Sequence, residues 1–192
     1  MILHRKKSKD KLKHFNQLVP LIYKDVARYI FSITRNETLT EDVLQNTLII
    51  AYENFSELKD IDKFKSWVLT IARRESIALI KKYKREVAIE DNIIEIMTDE
   101  DFSIPEQCVL KEELIDHVIK AINELRTEYR QVITLRYYNN LPLDEIATVL
   151  NISSSTARVW HMRAKKEVYN WIKDNYLQVD LKKKSTKKEY SI

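Results

Sequence analysis

Glycine is absent from all 192 residues. Phosphate-cradling loops, dinucleotide turns and hydrolase nucleophile elbows need it where the backbone takes positive φ or touches a phosphate. A P-loop, a GxGxxG fold and a GxSxG elbow are therefore excluded. The single cysteine, Cys108, can form neither an internal disulfide nor a Cys-based zinc site, and it reads as a small buried hydrophobe. His4, His14, His117 and His161 are not at metal-ligand spacing, so no metal or other cofactor is expected. No apolar run approaches membrane-spanning length, and no signal-type apolar core follows the basic N-terminus, which makes the cytoplasm the expected address. With only three prolines, and β-branched residues scattered at helical spacing without period-two runs, the expected fold class is all-α.

What is present is unevenly distributed. The net charge of +4 hides a basic start, where residues 1–14 hold His4, Arg5, Lys6, Lys7, Lys9, Lys11 and Lys13 against Asp10 alone. Residues 87–107 hold seven acids and no Lys or Arg, lack a clear period and contain Pro105, which reads as a linker. The tail "KKKSTKKE" is basic again, and both basic ends are expected to be disordered. The chain thus divides into a basic extension (1–14), a first helical domain (15–86), an acidic linker (87–107), a second helical domain (108–173) and a basic tail (174–192).

Within the first domain, Leu18, Val19, Ile22, Val26, Ile30 and Ile33 recur at three- and four-residue steps and predict an amphipathic helix adjusted at Pro20. Thr38 with Glu41 has the form of a capping box, followed by a second stripe of Leu44, Leu48, Ala51 and Phe55. Phe64, Val68, Ile71, Ala72 and Leu79 mark a third helix that ends in "KKYKRE". Around that stripe stand Lys63, Lys65, Arg73, Arg74, Lys81, Lys82, Lys84 and Arg85, with Trp67 near the start. Cations tracking phosphates beside a flat ring that stacks on a base are what binding to an opened strand requires; a tryptophan at helical spacing that simply joins the core is the alternative.

In the second domain, Leu110, Leu114, Val118, Ile122 and Leu125 predict one helix, "EYRQVITLRYY" a second and "LDEIATVL" a third. "LDEIATVLNISSSTARVWHMRA" has the form of a helix-turn-helix. Ala147 allows close approach, Asn151 sits where the turn needs a left-handed residue, and Ser153 to Ser155 can cap the second helix, whose exposed N-terminal half would enter a major groove. An ordinary helical hairpin is the alternative. Along the final helix Ala157, Ala164, Val168 and Trp171 form the core stripe. His161 and Trp160 read as core residues, whereas Arg158 and Arg163 lie off the stripe and suit contact with an anion.

Taken in order, "LTEDVLQNTLIIAYENF", "FKSWVLTIARRESIALIKKYKRE", the acidic linker and "EYRQVITLRYYNNLPLDEIATVLNISSSTARVWHMRAKKEV" resemble a bacterial RNA polymerase sigma factor of the extracytoplasmic-function (ECF) type, from about Phe15 to Trp171. The resemblance implies a first domain that binds the polymerase clamp helices and opens the minus-ten element, and a second that meets the polymerase flap and reads the minus-thirty-five element. On the family's "EDLVQE" stretch, Asp42, Gln45 and Asn46 would face the polymerase. Trp67 would lie at the upstream edge of the melted bubble, with Lys63, Arg73, Arg74, Lys81, Lys82, Lys84 and Arg85 on the minus-ten strand. Ser154, Ser155, Thr156, Arg158, Arg163 and Lys165 would lie at the minus-thirty-five DNA. It also implies an anti-sigma partner, no small-molecule substrate, no catalysis, and a linker that can occupy the polymerase's basic channels.

Some positions depart from the family pattern. Asn46 replaces a usual Glu, Arg74 a usual Asn and Ala78 a usual Asp. Arg126 and Pro142 stand at usual Pro and Ser positions, Val159 to His161 differ from the common "SRL", and Arg35 and Asn151 stand at usual Gly positions. Two rival functions remain at this level: an autonomous dimeric helix-turn-helix regulator, whose footprint would show two half-sites, and a helical adaptor that never touches DNA.

Overall fold

The computed structural model describes residues 2–87 and 109–177. The acidic linker from residue 88, Cys108 and the tail from residue 178 lie outside them, as does the Lys84 side chain. Every regular element among the described residues is helical.

Helix α1 (Ile2–Thr34) runs unbroken through Pro20 and includes residues 2–14, so the extension expected to be disordered is helical. Its inner face buries Phe15, Ile22, Val26, Tyr29, Ile30 and Ile33. Arg35 ends it at φ 52°, a left-handed conformation that only glycine adopts without a steric penalty. Asn36 then caps α2 (Glu37–Glu53), its side chain accepting from the Leu39 N–H at 2.9 Å. The expected box of Thr38 and Glu41 does not form, because Asn36 directly follows the left-handed turn, is extended and takes the orphan donor first. Two 3-10 turns, Phe55–Glu57 and Ile61–Lys63, lead into α3 (Phe64–Val87). Phe15, Phe55 and Phe64 meet edge to face at 5.4–5.8 Å between centroids, the arrangement the ring quadrupoles favour, and tie the start of α3 to α1.

The second half comprises α4 (Val109–Glu124), α5 (Thr127–Ile133) extended by a π-helical turn Thr134–Tyr138, α6 (Leu143–Leu150) and α7 (Ser154–Ile172). A further π-helical turn, Lys173–Leu177, makes the first residues of the expected tail helical. Arg126 caps α5 with no side-chain bond and instead lays its guanidinium over Tyr129, 3.8 Å from the ring centroid.

The two halves share one core. Val26, Ile30, Val68 and Leu69 belong to the same buried cluster as Val132, Leu135, Ile146 and Val149, with a smaller cluster of Leu125, Tyr129, Ile133 and Ala164 beside it. Polar contacts register the seam: Tyr29 donates to Gln131 Oε1 at 3.1 Å and Asn139 Nδ2 to the Asp25 carbonyl at 3.0 Å. Arg130, buried at 6% exposure, donates to the carbonyls of Ser32 (2.8 Å), Asn123 (3.0 Å) and Leu125 (2.7 Å). These oxygens lie at the C-terminal ends of α1 and α4, where helix dipoles concentrate negative charge and carbonyls lack intrahelical donors. Arg35 adds a second guanidinium to Asn123 O at 2.7 Å. Burial and the neighbouring Arg35 push Arg130 down to about 10, so it remains a cation at neutral pH. No carboxylate pairs with it among the described residues; the two helix ends serve instead.

Candidate nucleic-acid and polymerase surfaces

The turn between α6 and α7 is built from three residues. Asn151 takes φ 50°, ψ 52°; its N–H donates to Thr148 O at 3.1 Å and that of Ile152 to Ala147 O at 3.0 Å, which is a Schellman ending with Asn in place of Gly. Ser153 caps α7, its hydroxyl accepting from the Thr156 N–H at 3.1 Å. Ala147, Ala157 and Ala164 are buried, so small side chains let α7 lie close against its neighbours, as a helix-turn-helix requires.

Burial fixes which side of α7 is free. With Ala157, Ala164 and Val168 inward, a rotation of about 100° per residue puts Ser155, Val159, Met162 and Lys166 along the outward centre line. Arg158 and Lys165 flank it on one side and Arg163 and Thr156 on the other. Of the six residues expected at the minus-thirty-five DNA, Ser155, Arg158, Arg163 and Lys165 are exposed, and Ser154 and Thr156 are half-buried beside the cap. Arg158 meets Asp144 on α6 at 3.3 Å, both well exposed, so a stronger anion can take the guanidinium over. The sequence reading missed Val159, Met162 and Lys166 as a centre line; their i, i+3 and i+7 spacing was the available signal. Trp160 and His161, expected in the core, are half-buried, Trp160 packing against the core edge. Tyr137 Oη and His161 Nε2 are 3.1 Å apart, and burial, then Lys165 and Arg136, lower the imidazole's pKa, favouring the neutral ring.

On α3 the same rotation, with Val68, Leu69, Ala72 and Ser76 buried, brings Trp67, Arg74, Lys81 and Arg85 to one outward face. Trp67 is half-buried, its ring tilted against Phe64 at 6.3 Å, so it joins the core edge and the surface at once. Lys82 is exposed on the edge of this face. Lys63 binds Glu145 of α6 at 2.6 Å, and Lys65 is ion-paired with Asp25 on the inward side. Arg73 is half-buried on the flank, its Nε enclosed without a hydrogen-bond partner and its charge near Tyr29.

Helix α2 buries Val43, Leu44, Thr47 and Ala51 and leaves Asp42, Gln45 and Asn46 exposed on one face, continued by Ile49 at 56% exposure. An exposed aliphatic ringed by polar side chains suits a protein partner better than a nucleic acid. Among the described residues no group of His, Cys, Asp and Glu could hold a metal ion, and no helix is long and apolar enough to cross a membrane.

Comparison with known proteins assigns the chain to a class. Residues 16–86 match the Sigma-70 region 2 family and residues 116–168 the Sigma-70, region 4 family, the two promoter-binding regions of an RNA polymerase sigma factor in their usual order. The chain is 31% identical over 159 residues to the ECF RNA polymerase sigma factor SigM of Bacillus subtilis (strain 168), covering 81% of this chain and 94% of that protein. It is 28% identical to the ECF sigma factor SigW of the same organism, covering 80% and 86%. The sigma factor RpoE of Bartonella quintana, solved with the anti-sigma factor NepR, has a similar fold, with a TM-score of 0.72 at 21% identity over 85% of this chain and 99% of that one. This chain belongs to the ECF family of RNA polymerase sigma factors.

Proposed function

We propose that this protein, as the promoter-recognition subunit of RNA polymerase, divides its work among three faces. The Asp42, Gln45 and Asn46 face of α2 binds the polymerase clamp helices. The Trp67, Arg74, Lys81 and Arg85 face of α3 holds the opened minus-ten strand. The outward side of α7 lies in the major groove of the minus-thirty-five element, with the second half also meeting the polymerase flap. The observation that carries this reading is one chain with two helices, α3 and α7, each buried along one side and carrying cations on the other, within matched sigma regions 2 and 4.

The energetics follow from the side chains. Arg and Lys contacts to phosphate set position and supply much of the affinity, with the salt dependence that counterion release imposes. Opening costs a few kcal/mol per extruded base, and stacking on an aromatic edge such as Trp67 offsets about 1–3 kcal/mol of it. The chain contributes binding and positioning, and the polymerase the phosphodiester chemistry; it is not itself an enzyme and works in the cytoplasm. Lys63 pairs with Glu145 through a half-exposed contact, which a phosphate can take over as the strand is engaged. An anti-sigma factor is the expected negative partner.

Permanganate reactivity of promoter thymines tests the assignment. Wild-type protein with core polymerase should make minus-ten thymines reactive. The double variant Arg74→Glu with Lys81→Glu should still bind core but leave those thymines protected. Full reactivity with that variant would remove α3 from strand opening. A footprint of two half-sites from the protein alone would favour the autonomous regulator.

A further inference from the structure

Between Ser155 and Lys166, the two middle positions of the outward centre line of α7 are apolar, where polar groups would be expected to read bases. Val159 is 39% and Met162 64% exposed, on the far side of the helix from the buried Ala157 and Ala164. Cations flank them: Arg158 and Lys165 on one edge, Arg163 on the other, Lys166 below. A protein-binding apolar strip has no need of this basic border, whereas a helix lying in a major groove has phosphates along both edges. On the floor of that groove the one apolar substituent carried by a normal base is the C5-methyl of thymine.

We propose that Val159 and Met162 read thymine methyl groups in the minus-thirty-five element, a deepening that rests on the sigma-factor assignment of α7. Residues three apart on a helix stand about 5–6 Å from one another. With a rise of about 3.4 Å per base pair, the two methyls belong to base pairs one or two steps apart, on either strand. Arg158 and Arg163, off the centre line, hold the phosphates that set the register, and Arg158 leaves Asp144 to do so.

The test uses full-length protein with core polymerase and a promoter chosen by transcription from a library randomised at the minus-thirty-five element. Each thymine of the chosen element is replaced singly by deoxyuridine, which removes the methyl and leaves pairing intact. Two positions should each lose about fourfold in holoenzyme binding, the factor for burying one methyl-sized group, and both together about fifteenfold. Val159→Ala should abolish the thymine-to-uracil difference at one position and Met162→Ala at the other, with core binding unchanged. Equal binding of thymine and uracil at every position by wild-type protein overturns the proposal even if both variants misfold. So does discrimination that survives both substitutions, or a loss of binding equal on thymine and uracil templates, which would assign the strip to a protein surface. Absence of transcription from any library member would instead remove the sigma-factor assignment beneath it.

Discussion

Replacing Arg130 with methionine keeps most of the buried volume and removes the fork that closes two helix ends at once. Asn123 O keeps Arg35 as a donor at 2.7 Å, but Ser32 O and Leu125 O lose the guanidinium that reaches them at 2.8 and 2.7 Å. At about 1–3 kcal/mol per buried acceptor left unsatisfied, two cost roughly 2–6 kcal/mol; relief from burying a cation without a carboxylate partner offsets part of this, leaving about 3 kcal/mol. Urea unfolding followed by far-ultraviolet circular dichroism should show that fall in stability, with a lower midpoint. Arg130→Lys, which keeps the charge but cannot span both helix ends, should fall between the two. Hydrogen exchange should quicken at the C-terminal turns of α1 and α4 before other segments of the variant. A loss under about 0.5 kcal/mol for Arg130→Met would refute the reasoning, because it would mean that water or backbone rearrangement satisfies those carbonyls equally well.

Other parts of the fold make separate predictions. Burial raises the pKa of Tyr29 above its value in the unfolded chain, about 10, so the unfolded tyrosine loses its proton first and stability falls as pH rises above 10, by up to about 1.4 kcal/mol per pH unit. The wild-type minus Tyr29→Phe difference in unfolding free energy should carry that slope between pH 10 and 11 and be flat between pH 7 and 9. Asn140, exposed at φ 57°, should gain about 0.5–1 kcal/mol on replacement by glycine, as relief of the left-handed strain outweighs the entropy glycine adds to the unfolded chain; thermal unfolding reads this directly. Ser153→Ala removes the α7 cap and should cost about 1 kcal/mol in stability, with weaker minus-thirty-five binding in a holoenzyme footprint.

Most helices are legible in the sequence because their burial is periodic: Ile22, Val26, Ile30 and Ile33 form a stripe at helical spacing, as do Val68 and Ala72. The α6–α7 turn was legible for a different reason, since Asn151 and Ser153 act through their own backbone and immediate neighbours. The α2 cap was misread because Asn36 and Thr38 are both competent caps, and the chain direction at Arg35 decides between them. The helix over residues 2–14 was missed because its basic composition suggested disorder, yet lysine and leucine are good helix formers, and extending an existing helix needs no new nucleus.

The seam was not legible at all. Tyr29 meets Gln131 across 102 residues and Arg130 meets Ser32 across 98, distances over which no periodicity carries information. That is also why Lys63, an expected DNA contact, was not foreseen as the partner of Glu145. On the α7 surface the basic residues stand out by charge, while Val159 and Met162 carry none, and only the burial of Ala157 and Ala164 fixes their side as the outward one. The functional residues hardest to find were apolar side chains facing water.

Run-off transcription with purified bacterial core polymerase on a pool of native promoter fragments, with and without this protein, tests the central claim most directly. Starts that depend on the protein and share two upstream elements are the predicted result. Core polymerase that gains no new starts, while the protein alone protects specific DNA, would contradict it.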